Sequence, residues 1–195
     1  MNEKWTLKDL GITIGFSLIY FVVTLVVMMS GSFTPITWIF MTALIGLLAG
    51  IPYIYITARE QKVGVLVIMN LVVGLIFFAA GELSNLVIVT LTVSVVLAEI
   101  ARKLIGYDSI KGSLLSYVFF SFGMSGSPIY IWVFHDYTIE KTIEEMSSEY
   151  AVSLENMSAM WVLVVMIIMT IICAMIGGII GKNVLRKRIE KLGLS

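Results

Sequence analysis

Long apolar stretches separated by short polar segments are the dominant pattern of this chain. Six such stretches fall at about residues 10–29, 38–58, 63–81, 83–101, 112–134 and 157–183. Each is close to the roughly 20 residues that an α-helix needs to cross a bilayer core. Because a backbone in hydrocarbon has to satisfy its own hydrogen bonds, each stretch predicts a helix. The pattern therefore predicts an all-α integral membrane protein, with residues 1–195 forming a single domain, a compact bundle of six transmembrane helices.

The basic residues orient these predicted helices. Twelve of the 13 Lys and Arg residues lie before the first stretch, between the second and third, between the fourth and fifth, or at and beyond the end of the sixth. Only Lys141 lies in the other set of connections. Lys and Arg concentrate on the cytoplasmic side of spanning helices. The distribution therefore predicts that both termini are cytoplasmic, and that residues 30–37, 81–85 and 135–158 face outward.

One outward segment, residues 136–150, has the pattern of a short amphipathic helix. Its apolar residues recur at steps of three and four, and acidic residues occupy the other faces; these are Ile139, Ile143, Met146 and Tyr150, against Glu140, Glu144, Glu145 and Glu149. The segment is too short and too charged to span a bilayer. We predict that it caps the outer ends of the bundle. The alternative is a surface helix among lipid headgroups, which its net acidity disfavours next to an anionic membrane.

The fifth stretch carries helix-breaking residues towards its outer end. Gly123, Gly126 and Pro128 follow one another closely there. Proline removes a backbone donor and glycine adds backbone freedom, so the sequence predicts a kink or an unwound turn. Two interpretations stay open at this point: a kink that only sets the direction of the helix, and a break that lines a cavity.

Composition excludes several classes of function. Hydrophobic residues make up 59% of the chain, charged residues 13%, and the mean hydropathy is +1.00, which is too apolar for a water-soluble domain. Cys173 is the only cysteine, so neither a disulfide framework nor a cysteine zinc site can form within one chain. Phosphate-loop, zinc-protease and serine-elbow motifs do not occur. We therefore predict no catalytic residue, no metal site, no nucleic-acid partner, and no ion-coupling charge at mid-membrane.

Small residues spaced four apart let membrane helices approach closely. Three such pairs occur, Gly11 with Gly15, Gly46 with Gly50, and Gly177 with Gly181. We predict that two of the three pairs serve packing inside the bundle. The first pair, with the small polar residues Thr13 and Ser17 beside it, is the candidate for docking an external partner near the cytoplasmic start of the first helix.

Several patches in both halves of the chain resemble a known family. They are the inner loop Ala58–Gly64, the run Ser127-Pro128-Ile129-Tyr130, the pair Glu149-Tyr150, and the ending from Gly177 and Gly181-Lys182 through Leu185, Lys187, Lys191 and Gly193. With the predicted topology and the length, they resemble the substrate-binding S components of energy-coupling factor transporters. Within that group the chain is most similar to the Trep-Strep branch.

This resemblance implies a division of labour in a prokaryotic plasma membrane. An S component captures a micronutrient from outside and docks through its first helix onto a membrane T component, which two cytoplasmic ATPases drive. The chain itself is then not an enzyme. The family's docking pair is usually alanine, where this chain has Gly11 and Gly15. The resemblance also implies that docking tilts the S component so that its bound substrate turns towards the cytoplasm.

The resemblance places the substrate near the outer face, under the first outer loop and the segment before the last helix. Candidate binding residues there are Phe33, Trp38, Glu82, Asn85, Met124, Tyr130, Trp132, His135, Tyr137 and Trp161. Aromatic walls with a few polar groups suit a flat, largely uncharged ring system. A vitamin-like molecule fits this description, and a tetrapyrrole held by His135, Met124 or a tyrosine is a second hypothesis. An interfacial aromatic belt is the competing explanation for Trp38, Trp132 and Trp161.

Two other classes of function stay open from the sequence. The first is a structural or regulatory membrane subunit without a ligand. The second is a membrane-embedded enzyme acting on lipid or peptide, which only the grouping of Glu82, His135 and Asp136 on the outer side favours.

Overall fold

The computed structural model describes residues 5–191, apart from the side chains of residues 188, 189 and 191, and every regular element in that range is helical. Eleven α-helices follow one another: α1 (Leu7–Gly31), α2 (Pro35–Ile39), α3 (Met41–Leu48), α4 (Gly50–Arg59), α5 (Val65–Ala79), α6 (Asn85–Ile105), α7 (Ile110–Phe120), α8 (Gly126–Val133), α9 (His135–Glu145), α10 (Ser148–Glu155) and α11 (Met160–Lys191). The prediction of an all-α membrane protein is confirmed.

The described residues contain four helical segments long and apolar enough to cross a membrane. These are Leu7–Gly31, Asn85–Ile105, Ile110–Val133 and Met160–Lys187. A fifth span results if α3 and α4, which are bent by 53°, cross together. The remaining apolar helix, α5, has 15 residues and is shorter than the predicted stretch 63–81. By length and apolarity the described residues therefore contain four spans, or five if the bent pair crosses as one, and the number six stays a prediction.

The predicted span 38–58 is not one continuous helix, so the expectation of an unbroken helix there was wrong, whereas the span itself stays a prediction. The structure divides it into α2, α3 and α4, with α3 ending at Leu48. Pro52 explains the last break, because it has no N–H to donate to the carbonyl of Leu48 and its ring would clash with that carbonyl. The Tyr117 hydroxyl of α7 donates to the carbonyls of Ile45 and Gly46 just before the break, at 3.1 and 2.8 Å.

Two of the three glycine pairs bring α11 against this bent segment. A Cβ on Gly50 would overlap the carbonyl of Gly177, and a Cβ on Gly177 would overlap the carbonyl of Gly46. A Cβ on Gly181 would lie 2.7 Å from the carbonyl oxygen of Gly50. The backbones of α11 and of the α3–α4 bend are therefore in direct contact, and these two pairs serve internal packing as predicted.

The outer segment before α11 forms two short helices, so the prediction of one helix over 136–150 was wrong. α9 ends at Glu145, and α10 begins at Ser148. Ser147 starts the second helix, because its hydroxyl accepts a hydrogen bond from the Tyr150 N–H at 3.2 Å in an N-cap. The buried Leu154 of α10 packs in a small core cluster with Ile39 and Met166. Both helices lie at one end of the bundle, but Ile143 and Met146 of the predicted apolar stripe are 56% and 42% exposed, so the cap stays a prediction.

We call this end the outer end, as the basic residues predict, and the opposite end the inner end. At the inner end, Arg102 is fully buried and donates to the carbonyls of Thr57 and Glu60, at 3.0 and 3.2 Å. Glu99 accepts hydrogen bonds from the N–H groups of Gly64 and Leu66, both at 3.2 Å. These contacts hold the loop between α4 and α5 against α6.

Candidate functional site

A cavity of about 530 Å³ lies at the outer end, beneath α9 and α10. Its walls come from the end of α1, from α2 and α3, from the turn at residues 81–84, from residues 124–130, and from α9 and α10. The segments that the sequence assigned to the outer face therefore meet around one space. Cavities of this size hold small organic molecules.

The fifth predicted span is interrupted where it lines this cavity. α7 ends at Phe120, and a single 3₁₀ turn, Gly123–Ser125, precedes α8. The Thr90 hydroxyl of α6 donates to the carbonyl of Gly123 at 2.8 Å and accepts from the N–H of Gly126 at 3.0 Å. Gly126 has no space for a side chain, because a Cβ there would overlap the backbone of Leu86. The turn is thus clamped to α6 and presents Met124 to the cavity, which favours the cavity-lining interpretation of the glycine–proline run.

Aromatic rings and methionines make up much of the wall. The rings are those of Trp38, Tyr130, Tyr137 and Tyr150, and the methionines are Met28, Met41, Met124 and Met146. Unbranched methionine side chains adapt to the shape of a bound molecule, and aromatic faces offer a flat contact surface. This lining suits a planar ligand.

The roof of the cavity is tied to α1 by one hydrogen bond. The Tyr150 hydroxyl donates to the carbonyl of Gly31 at 2.6 Å. Burial raises the pKa of Tyr150 to about 12, so the hydroxyl keeps its proton to a higher pH than an ordinary tyrosine does. Leu154, one turn further along α10, is buried below it. The bond and the apolar anchor together hold α10 across the cavity.

Three charged side chains line the cavity, and two of them pair with each other. Lys141 contacts Glu145 at 3.1 Å, and it also lies 3.8 Å from Glu144. The hydrogen bond to Glu145 raises the pKa of Lys141. Glu82, in the turn between α5 and α6, has an exposed side chain without an ion-pair or hydrogen-bond partner among residues 5–191. The cavity therefore offers one unpaired carboxylate.

Five of the ten candidate binding residues line this cavity: Trp38, Glu82, Met124, Tyr130 and Tyr137. The other five, Phe33, Asn85, Trp132, His135 and Trp161, do not. Phe33 and Trp161 are 83% and 67% exposed on the surface of the bundle. Trp132 instead packs beside the small core under α10, and its indole N–H points to the carbonyl of Ala159 at 3.4 Å. These five residues lie outside the cavity, and their role in binding stays a prediction.

His135 and Asp136 contact each other at the start of α9, with 3.1 Å between Nδ1 and the carboxylate. Glu82 lines the cavity, whereas His135 and Asp136 do not. The structure therefore does not bring the three residues of the enzyme hypothesis into the cavity together.

Sequence reasoning missed several lining residues, among them Met28, Met41, Ser127, Lys141 and Glu145. For α9 a signal was present, because Lys141 and Glu145 share one face at a spacing of four residues. No sequence signal marked the methionines, because an apolar residue inside a predicted span looks the same whether it packs in the core or lines a cavity.

The glycine pair on α1 lies on the surface of the bundle. Gly11 and Gly15 are exposed, and a Cβ on either would meet nothing within 4 Å. Thr13 and Ser17 face the opposite way and are fully buried, with their hydroxyls donating to backbone carbonyls one turn earlier. The assignment of Thr13 and Ser17 to a docking surface was wrong, and only the glycines remain candidates.

The family comparison covers nearly the whole chain. A model described as "Hypothetical bacterial integral membrane protein (Trep_Strep)" matches residues 7–191. The chain belongs to the Trep_Strep family. No curated protein and no solved structure matches it. The description of this family as bacterial integral membrane proteins agrees with the long apolar helices of the structure. In this Trep_Strep protein, no three His, Cys, Asp or Glu side chains of the described region cluster so that they could hold a metal ion.

Proposed function

We propose that this chain is the S component of an energy-coupling factor importer. It captures a micronutrient at the outer end and delivers it through a membrane T component driven by two cytoplasmic ATPases. The observation that carries the proposal is the half-open cavity of about 530 Å³ at the outer end, walled largely by aromatic and methionine side chains. A purely structural subunit has no need of such a space.

The open glycine pair supports docking to a partner. Gly46, Gly50, Gly177 and Gly181 are occupied by packing within the bundle, whereas Gly11 and Gly15 have free space beside them. Dispersion and close packing drive helix association in lipid, and glycine permits the closest backbone approach. An unoccupied glycine stripe on the first helix is therefore the surface that a partner helix fits best.

The surface around the bundle is suited to tilting in the membrane. Exposed side chains on α1 include Leu18 and Val22, those on α6 include Val93, and those on α11 include Val164 and Ile176. These side chains are apolar. Tilting this lipid-facing surface within the membrane therefore carries none of them as a charge through hydrocarbon. Transport by reorientation, with energy supplied by ATPases outside the chain, is compatible with such a surface.

Assembly tests the proposal. The affinity-tagged chain is purified from its bacterial host in mild detergent, and co-purifying proteins are quantified by mass spectrometry. We expect a T component and two ATPases with the wild type, and their loss with Gly11→Trp and Gly15→Trp. Val93→Trp on α6 is the control, since Val93 is 50% exposed and also presents its side chain to lipid.

Two results contradict the proposal. If no T component and ATPases accompany the wild type, the chain is not an S component. If they accompany it and both glycine variants keep them as the control does, docking does not use this face of α1.

A further inference from the structure

Resting on the proposed function, we infer that the outer cavity binds a small planar molecule that carries a positive charge, with that charge placed near Glu82. The sequence predicted a largely uncharged ring, and this inference replaces it with a ring that carries a positive charge. Three observations carry it: the charges that line the cavity, the aromatic faces, and the unpaired donors and acceptors.

The balance of charge in the cavity is negative. Among the described residues of the lining, Lys141 is the only basic one, against two acidic residues, Glu82 and Glu145. Lys141 is already neutralised by Glu145 at 3.1 Å and has Glu144 at 3.8 Å. An anionic ligand would therefore meet Glu82 with no free cation to offset it, whereas a cationic ligand would pair with the one carboxylate that has no partner.

The walls reinforce this preference. Trp38, Tyr130, Tyr137 and Tyr150 line the same space. The face of an aromatic ring carries partial negative charge and attracts a cation within about 6 Å of its centroid. A flat cationic ring can stack on such faces and keep its charge towards the rim, where Glu82 lies. An uncharged ring would gain only the stacking.

Polar groups with unused hydrogen-bonding capacity complete the site. The Ser127, Tyr130 and Tyr137 hydroxyls have no hydrogen-bond partner within residues 5–191. The Tyr150 hydroxyl is used in the bond to Gly31. Neutral hydroxyls can donate to or accept from substituents on a ring, so they orient a ligand without opposing its positive charge.

Charge selectivity is measured with three probes that share one bicyclic ring: quinoline methylated on the ring nitrogen, which is a cation; quinoline, which is neutral near pH 7; and a quinoline carboxylate, which is an anion. Dissociation constants are measured by calorimetry on the purified full-length protein. We expect the cation to bind tightest and the carboxylate weakest.

Variants locate the charge. Glu82→Gln should weaken binding of the cation about fivefold, the equivalent of a rim ion pair of about 1 kcal/mol, and leave quinoline unchanged. Glu82→Lys should favour the carboxylate over the cation. Glu140→Gln is the matched control, because Glu140 is an exposed glutamate of α9 that does not line the cavity. It should behave as the wild type.

Three results overturn the inference: no saturable binding of the cation, equal or tighter binding of the carboxylate or of a dianionic porphyrin, and cation affinity that Glu82→Gln leaves unchanged. The assembly experiment separates these results from failure of the proposed function. If the T component and ATPases still co-purify, only the charge assignment is wrong. If they do not, the S-component proposal itself is refuted.

Discussion

Replacing Gly50 with alanine tests the close contact between α11 and the α3–α4 bend. The added Cβ would lie 2.9 Å from the N atom of Gly178 and nearer still to the carbonyl of Gly177. Both neighbours are backbone atoms of a long helix, so neither can swing aside as a side chain would. The two helices would have to separate by about 1 Å or more to restore ordinary carbon contact distances.

The expected cost follows from overpacking. Forcing one extra methyl group into a packed interior costs about 1–3 kcal/mol, and the alanine gains at most about 1 kcal/mol of helix propensity in return. Gly11→Ala makes the same chemical change where a Cβ would meet nothing within 4 Å. Only the propensity gain of up to about 1 kcal/mol then applies, so this variant should match or exceed the wild type in stability.

The assay is thermal unfolding of the two variants and the wild type in the same detergent, followed by circular dichroism. After the propensity gain is subtracted, a net cost of about 1–2 kcal/mol corresponds to a midpoint lower by roughly 2–8 °C for a protein of this size. We expect this drop for Gly50→Ala and none for Gly11→Ala. Equal midpoints for all three proteins would refute the direct backbone contact between α4 and α11.

Two further predictions concern the roof and the orientation. Tyr150→Phe removes the hydroxyl that donates to the carbonyl of Gly31. Because such a bond contributes about 1 kcal/mol, amide hydrogen exchange in α10 should rise about fivefold. Tyr137→Phe loses a hydroxyl without a partner in the described residues and should leave this exchange unchanged, so equal exchange in the two variants would argue against the hydrogen bond between Tyr150 and Gly31. With Cys173 replaced by alanine, a membrane-impermeant maleimide should label Ser153→Cys on intact cells and Lys103→Cys only after lysis. Labelling of Lys103→Cys on intact cells and of Ser153→Cys only after lysis would show that the predicted orientation in the membrane is reversed.

The sequence predicted the helices far better than their interruptions. Apolar length indicated the four helical segments that are long enough to cross a membrane, because the bilayer imposes one length requirement on all spans. The break before α4 was nonetheless readable, since Pro52 cannot donate to Leu48. Ser147 was likewise a recognisable N-cap within the outer segment. Both signals are local, and the strong apolar and amphipathic patterns around them concealed them.

The docking surface could have been predicted more accurately from the sequence, whereas the lining of the cavity could not. Thr13 and Ser17 could have been separated from Gly11 and Gly15, because residues two apart on a helix do not share a face. The cavity lining could not be predicted in this way. It brings Met28 of α1 and Met41 of α3 together with α9, which lies about a hundred residues further along. Only tertiary packing decides such neighbours.

The most direct test of a ligand-binding role is native mass spectrometry of the gently purified protein. The wild type should retain a small molecule, and Ser127→Phe should lose it because the ring would occupy the cavity that Ser127 lines. Ser153→Phe, at an exposed position of α10 outside the cavity, should retain it. A wild-type protein that emerges empty, and that cannot be saturated by any member of a vitamin and tetrapyrrole panel, would contradict a role in substrate capture and favour a structural subunit.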